Sequence, residues 1–316
     1  MLRHSFLAFC FILFFVASTY SQGCSDAGFC TMGAMKPDQQ YDKDLDIKLR
    51  SIEINAYRGT TTLTPDIYVL TADLTLSITD RLFFQAKVPY QMVSGSFGET
   101  SGLSDLSFSI TRNMLTTSRG SLNATLGTKI PTNNSDLATT NDEFGSEGSD
   151  FPMYYQVSLG SYDLIAGASW INEKWLLATG VQVALTANEN EYAWTEWPDY
   201  PSQEYTQKYD RATHLKRGAD IMLRIERNFR FTNYNFTVGL LPIYRITPDQ
   251  IITEGQYEKV DGTTGMALSA LIGGGYNFNV KSGIKFIFGH KILQRDVNPD
   301  GLTRVIVTNL SYVYRF

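Results

Sequence analysis

The strongest constraint on the fold is the end of the chain, where side chains alternate strictly up to a terminal aromatic residue. From Ile306 onward every second residue lies on one face, and this face carries Tyr312, Tyr314 and Phe316. An exposed aromatic face on a terminal strand promotes aggregation in a soluble protein. In a transmembrane β-barrel the same face contacts lipid, and closure of the barrel removes the free edge. The end of the chain therefore predicts a membrane-spanning strand.

The same alternation recurs along the chain and predicts about twelve strands. They lie near residues 44–57, 67–78, 82–92, 103–113, 121–130, 157–171, 175–185, 219–227, 231–244, 266–276, 284–292 and 304–316. A one-residue shift of the apolar face near Arg50 and Ser51 indicates a β-bulge in the first strand.

Connections between the predicted strands alternate between short and long. Short ones follow the even-numbered strands, and long ones, notably 132–155 and 188–217, follow most odd-numbered strands. Short periplasmic turns and long extracellular loops are typical of outer-membrane barrels. We predict an all-β fold, a single-chain transmembrane antiparallel up-and-down β-barrel over residues 44–316, with both termini in the periplasm. A soluble β-sandwich gives no reason for this alternation.

The beginning of the chain predicts export. Arg3 and His4 precede an apolar run from Phe6 to Ala17, and small residues follow up to Gln22. This pattern is typical of a secretory signal peptide. The run is shorter than the roughly 20 residues that a membrane-spanning helix needs. We predict that residues 1–22 are removed and that the barrel lies in the outer membrane of a Gram-negative bacterium.

The segment 23–43 precedes the barrel and contains both cysteines of the exported chain. Because these meet an oxidising compartment, a disulfide between Cys24 and Cys30 is expected. The alternative is acylation of Cys24, since residues 21–24 loosely resemble a lipobox. Two cysteines without a nearby histidine predict no metal site. The segment is expected either to enter the lumen as a plug or to remain a periplasmic tail that contacts a partner.

Composition agrees with a barrel and argues against several other classes. Aromatic residues make up 13% of the chain, and the mean hydropathy is −0.16. A barrel tolerates this value because only every second strand residue must be apolar. There are 27 basic and 32 acidic residues and no basic tract, so no nucleic-acid partner is predicted. No cofactor motif is present.

The strand faces opposite the apolar ones predict the residues that line the lumen. Both signs of charge occur there, which suits either structural pairs across a solvated interior or a constriction that selects solutes by size and charge. The lumen candidates are Lys48, Arg50, Glu53, Lys87, Asp105, Lys129, Asp220, Arg224, Glu226, Lys285 and Arg315.

Two long loops carry distinctive side chains. One is acidic, but its spacing matches no calcium loop, so solvated acid is the favoured interpretation; its residues are Asp136, Asp142, Glu143, Glu147 and Asp150. The other is aromatic and is expected either to stack against an apolar or sugar-like solute or to pack against itself. Its ligand-contact candidates are Tyr192, Trp194, Trp197 and Tyr200, with Tyr205 nearby.

A catalytic function is not predicted. His214 lies between Asp210 and Asp220 in sequence, which is a weak indication of an acid–histidine protease site. Neither His214 nor His290 is followed two residues later by the serine that barrel lipases carry. No nucleophile, metal-ligand set or phosphate loop accompanies them, so we predict that the protein is not an enzyme.

Two short motifs carry a resemblance to a known family. Residues 102–106 read Gly-Leu-Ser-Asp-Leu, and residues 159–163 read Leu-Gly-Ser-Tyr-Asp. The chain resembles the outer-membrane transporters of the phenol-degradation meta-pathway family, distant relatives of long-chain fatty-acid channels. Ser104 replaces the second glycine of the family's first motif, and the second motif is one glycine shorter. The end of the signal peptide, 20–22, is also similar to that of Bacteroidetes envelope proteins.

The resemblance implies passive uptake of small solutes, hydrophobic ones included, through a barrel with an N-terminal plug. The alternative function is a non-transporting structural or accessory barrel that binds partners through segment 23–43 or the aromatic loop. The terminal aromatics Tyr312, Tyr314 and Phe316 resemble the signal that the barrel-assembly machinery reads. Outer-membrane lipid, this machinery and a small-molecule solute are therefore the expected partners.

Overall fold

Most of the described chain forms one closed antiparallel β-barrel. The computed structural model describes residues 47–61, 63, 65–140, 147–302 and 304–316. The predicted signal peptide, segment 23–43 and the Cys24–Cys30 pair lie outside these residues. The twelve barrel strands are β1 (Lys48–Thr60), β2 (Asp66–Thr79), β3 (Leu82–Gly95), β5 (Leu106–Thr117), β6 (Gly120–Ile130), β7 (Asp163–Ile171), β8 (Trp175–Ala184), β9 (Asp220–Arg230), β10 (Tyr234–Arg245), β13 (Gly265–Asn277), β14 (Ser282–Leu293) and β15 (Ile306–Arg315).

Pairing of the first and last strands closes the barrel. β1 and β15 are antiparallel from Ser51 opposite Arg315 to Thr60 opposite Ile306. Every other barrel strand pairs with its neighbours in chain order, so the predicted up-and-down fold is confirmed. The register of β1 against β2 shifts between Leu49 and Ser51, where the sequence predicts a bulge.

The outer surface of the barrel is an apolar belt. On β10 the outward Tyr234, Phe236, Val238 and Leu240 are exposed, and the terminal Tyr312, Tyr314 and Phe316 are exposed as well. Such a belt suits contact with lipid, and a closed barrel leaves no backbone edge unsatisfied in it. Within the described ranges, no helix has the length and apolar character needed to cross a bilayer.

Three short strands lie outside the barrel wall. β4 (Gly98–Leu103) folds back onto β3 through a turn between Gly95 and Gly98, where Gly98 has φ +138°. The predicted strand at 103–113 therefore starts later, at Leu106. β11 (Gln250–Thr253) and β12 (Gln256–Lys259) form a separate hairpin in a long loop.

The long loops fold over and into one end of the barrel. The predicted strand at 157–171 starts only at Asp163, because residues 151–158 are buried as irregular loop. Loop 185–219 contains a 3₁₀ turn (Trp194–Glu196) and the short helix α1 (Gln203–Thr206). The Ser202 hydroxyl caps α1 by accepting a hydrogen bond from the Tyr205 N–H at 3.2 Å.

Candidate solute pathway through the barrel

An aromatic cluster, here called the aromatic cap, closes the loop-bearing mouth. Phe97 lies at its centre, with ring centroids 4.7 Å from Trp197, 4.9 Å from Tyr200 and 5.0 Å from Tyr209. The cap packs onto inward-facing residues of β1 to β3, so it lies within the mouth rather than above it. Its members are Phe97, Phe151, Tyr154, Tyr155, Tyr192, Trp197, Tyr200, Tyr205 and Tyr209.

Hydrogen bonds from tyrosine hydroxyls and from the Gln156 side chain stabilise the cap. The hydroxyls of Tyr205 and Tyr209 donate to the Leu63 carbonyl at 2.9 and 2.7 Å, which joins loop 185–219 to the first loop. The Gln156 amide group donates to the carbonyls of Leu137 and Phe151, both at 2.9 Å. Burial raises the pKa of Tyr155 to about 12, so its hydroxyl stays neutral.

The predicted ligand contacts of the aromatic loop divide into two groups. Tyr192 and Trp197 are fully buried within the cap. Trp194 is 41% exposed, and Tyr200 is half-buried. Trp194 and Tyr200 are therefore the two candidates that solvent can reach, and a role of these side chains in ligand contact stays a prediction.

Beside the cap, a buried cluster of arginine and aspartate side chains, here called the rim cluster, joins three long loops to the barrel rim. Arg245 at the end of β10 binds Asp220 of β9 at 2.7 Å, Asp249 at 2.7 Å and Asp300 at 2.8 Å. Arg295 binds Asp300 at 3.0 Å and lies 3.7 Å from Asp249. A further pair is Arg217 with Asp163, at 2.7 Å.

The charges of the rim cluster stabilise one another. Burial by itself raises the pKa of Asp300, but the Arg245 and Arg295 guanidinium groups outweigh burial and hold that pKa below its ordinary value. Removing one partner from such a cluster leaves a charge buried without compensation, which costs about 3–5 kcal/mol. Sequence reasoning identified only Asp220 of this cluster as a lumen candidate, because most of the other members lie in loops that carry no alternation.

The other lumen candidates also lie on the inner face of the barrel, as the strand register places them. Four inner pairs line the lumen: Lys87 with Asp73 at 3.9 Å, Lys129 with Asp105 at 3.5 Å, Lys285 with Glu53 at 3.5 Å and Arg224 with Glu226 at 2.7 Å. Nearer the short-turn end, the Arg50 guanidinium lies 5.1 Å from the centre of the Phe83 ring, Arg315 lines the opening, and Lys48 is exposed opposite Ser77.

One side of the lumen is apolar, which sequence reasoning missed. Ile165, Met222 and Leu241 point inward and are at most 1% exposed, and Leu271 packs against them. The signal in the sequence is that β10 carries apolar residues on both faces, with Leu240 outside and Leu241 inside. Alternation alone assigns the apolar residues of such a strand to lipid.

Three cavities follow one another along the barrel. The largest, about 560 Å³, opens at the short-turn end between Asn228, Asn279 and Arg315. The middle cavity holds about 110 Å³ and shares Lys285 with the first. The upper cavity, about 80 Å³, lies beneath the loops and shares Tyr57, Lys87 and Arg304 with the middle one.

Residues of the acidic loop and His214 make contacts that join neighbouring loops. Of the acidic residues, Asp142 and Glu143 lie outside the described residues. The Asp150 carboxylate accepts a hydrogen bond from the Glu191 N–H at 2.7 Å, and burial raises its pKa to about 6. Glu191 in turn lies 2.8 Å from His214 Nε2.

The two aspartates that flank His214 in sequence have other partners. Asp210 accepts a hydrogen bond from the Asn298 N–H at 3.0 Å, and Asp220 belongs to the rim cluster. Among the described residues, no group of three or more histidine, cysteine, aspartate or glutamate side chains is placed to hold a metal ion.

Comparison with solved structures supports the architecture. A COG4313 outer membrane channel from Pseudomonas putida F1 is 16% identical, with a TM-score of 0.58, and the match covers 88% of this chain and 99% of that one. The chain is an outer-membrane β-barrel. The NanC porin matches with a TM-score of 0.44 at 6% identity, over 85% of this chain and 100% of that one. The Pseudomonas putida toluene transporter TodX matches with a TM-score of 0.38 at 12% identity, over 94% of this chain and 93% of that one. No protein-family profile and no curated protein matches the sequence.

Proposed function

We propose that this outer-membrane barrel is a passive channel for small solutes, with hydrophobic ones among them. The observation that carries the proposal is the sequence of three cavities, which extends from the short-turn opening to the underside of the cap. A barrel with a purely structural role has no need of successive cavities inside its wall. Lys285 lines both the lower and the middle cavity, and Lys87 and Arg304 line both the middle and the upper cavity. Such long side chains can change rotamer.

The cap acts as the outer gate of this channel. Its aromatic rings are held together by contacts between three loops and by hydrogen bonds to Leu63. A solute therefore passes when the loops separate, as is common for lids that close over a binding site. Segment 23–43 is proposed as a second restriction on the lumen, in agreement with the resemblance described above.

Planar-bilayer conductance and liposome swelling test the proposal. The purified full chain and a variant lacking residues 23–43 are each reconstituted in the same lipid. We expect small conductance steps and slow swelling with uncharged solutes for the full chain, and larger values for the deletion variant. If neither protein passes ions or small solutes, the channel function is wrong.

The alternative is an accessory barrel that does not transport. The observation in its favour is the dense packing of Ile165, Met222 and Leu241, which fills part of the lumen cross-section. Absence of conductance from both proteins, together with capture of a partner that depends on segment 23–43 or on Trp194, is the result that this alternative predicts.

A further inference from the structure

Arg227 of β9 lies on the outer, lipid-facing surface of the barrel. It shares this face with Ile225 and Phe229, and its neighbour on β8 is the outward-facing Trp175. The apolar surface continues past Arg227 toward the short-turn end, where Phe229 and Tyr234 are 42% and 53% exposed. Arg227 therefore lies inside the aromatic girdle that marks the edge of the membrane, and not in the water beyond it.

Two aromatic rings hold the Arg227 guanidinium group in place. Its central carbon lies 5.1 Å from the centre of the Trp175 ring and 5.5 Å from that of the Phe229 ring. Both distances are those of a cation–π contact. Phe229 is one step nearer the short-turn end than Arg227, so its ring directs the guanidinium toward the membrane surface. A guanidinium held in this way binds an anion with a smaller loss of side-chain entropy than a mobile one does.

Arg227 has aromatic contacts but, among the residues that the structure describes, no carboxylate forms an ion pair with it. The outward-facing Arg58, near the opposite end of the barrel, is the contrasting case. Its guanidinium group lies 3.0 Å from the Asp66 carboxylate as well as 5.7 Å from the centre of the Tyr68 ring. Because a charge at the membrane surface of a protein needs a partner, the chain itself supplies the anion at Arg58, whereas the lipid has to supply it at Arg227.

From this geometry we infer that Arg227 and Trp175 form a binding site for a glycerophospholipid of the periplasmic leaflet. The short turns mark this end of the barrel as the periplasmic one. The phosphodiester group of the lipid lies against the Arg227 guanidinium, whose N–H groups donate to phosphate oxygens. One acyl chain lies over Ile225 and Leu177, which are the next outward pair toward the membrane centre. The inference concerns the outer surface of the barrel and is independent of the proposed channel function.

Native mass spectrometry of the purified full chain in an uncharged detergent tests the site. The protein is titrated with dioleoylphosphatidylglycerol and, in parallel, with a dioleoylglycerol that carries glucose in place of the phosphoglycerol group. The two lipids have the same acyl chains, so the ratio of their dissociation constants reports the contribution of the phosphate. We expect the phospholipid to bind about tenfold more tightly, as a charge-assisted hydrogen bond predicts. Equal binding of the two lipids to the wild type would overturn the inference.

Three variants locate this preference for the phospholipid. Arg227→Gln removes the charge and should abolish the preference. Arg227→Lys keeps the charge but loses the planar group that the rings hold, so a preference of about threefold is expected. Arg112→Gln is the matched control, because Arg112 of β5 also faces outward near the short-turn end but makes no cation–π contact with the described residues. We expect this control to bind the two lipids as the wild type does.

Each ratio compares two lipids on one protein, so a general loss of stability changes both dissociation constants and leaves their ratio unaltered. A preference that persists in Arg227→Gln would place the phosphate site elsewhere and overturn the inference, as would an equal loss of preference in Arg112→Gln. Competition with glycerol 3-phosphate separates a lipid from a free phosphate ester. If this compound displaces the phospholipid at an equal concentration, the site does not recognise a lipid and the inference is wrong.

Discussion

The loop-built mouth and the strand-built lumen use charged residues in different ways. In the rim cluster, Arg245 binds three carboxylates at 2.7–2.8 Å. In the lumen, Lys87 and Lys285 lie 3.5–3.9 Å from single carboxylates and border cavities. The comparison indicates that the rim charges hold loops in place, while the lumen charges line the proposed solute pathway.

The largest expected difference between the two regions is in stability. Arg245→Met removes a shared partner of three carboxylates, two of them fully buried, and should lower the free energy of unfolding by about 3–5 kcal/mol. Lys285→Met is the matched change in the lumen. Because Lys285 is partly exposed and lies 3.5 Å from the carboxylate of Glu53, the expected cost is smaller, about 1–2 kcal/mol. Denaturant titration of both variants in the same lipid vesicles gives the comparison. Similar losses for the two variants would contradict the proposed division of roles.

A second expected effect concerns the packing of the cap. Phe97→Ala removes the ring that contacts Trp197, Tyr200 and Tyr209 and should cost about 3–5 kcal/mol locally. Limited proteolysis should then cut loop 185–219 faster, with the barrel strands still protected. Trp194→Ala is the control, since its side chain is exposed and outside the cap. Equal cleavage of the two variants would show that the cap is not held by Phe97.

The smallest expected effect is a pH dependence at the edge of the cap. Burial raises the pKa of Asp150 to about 6, so the folded loop favours the neutral carboxyl group. The folded conformation of this loop should therefore become more stable as the pH falls through about 6 and less stable above it, because its burial of Asp150 outweighs the hydrogen bond from the Glu191 N–H, which favours the ionised carboxylate. Hydrogen exchange of the 191 amide at pH 5 and 7.5, corrected for intrinsic rates, measures this change.

Two variants check the origin of that pH dependence. Asp150→Asn should abolish it, because the amide does not titrate. Glu147→Gln changes an exposed neighbour in the same loop and should preserve it. Persistence of the full effect in Asp150→Asn would assign it to another group.

The strand-built region could be predicted from the sequence because its pattern is local. Alternation of period two reports which residues face lipid, and a one-residue shift at Arg50 located the bulge in β1. The lumen candidates followed from the same rule, since a residue opposite a lipid-facing one must face inward. Strands β5 and β7 start later than the alternation predicts, at Leu106 and Asp163. The residues before them belong to the short strand β4 and to the buried loop 151–158, and these also carry apolar side chains.

The loop-built region could not be predicted in the same way. Arg217 and Asp163 are 54 residues apart, and Tyr209 and Leu63 are 146 apart, so no local pattern relates them. The aromatic loop was recognised by composition, but its contact with Phe97 of another loop depends on tertiary structure. The apolar wall of the lumen was missed because the sequence alone does not distinguish an inward-facing leucine such as Leu241 from a lipid-facing one.

Single-channel conductance of the wild type and of Phe97→Ala, in the same planar bilayer with Trp194→Ala as control, tests most directly whether the lumen is a passage closed by the cap. We expect small conductance steps for the wild type and for Trp194→Ala, and several-fold larger steps for Phe97→Ala. Absence of conductance from all three proteins would contradict a passage through the barrel. Equal conductance of all three would contradict closure by the cap.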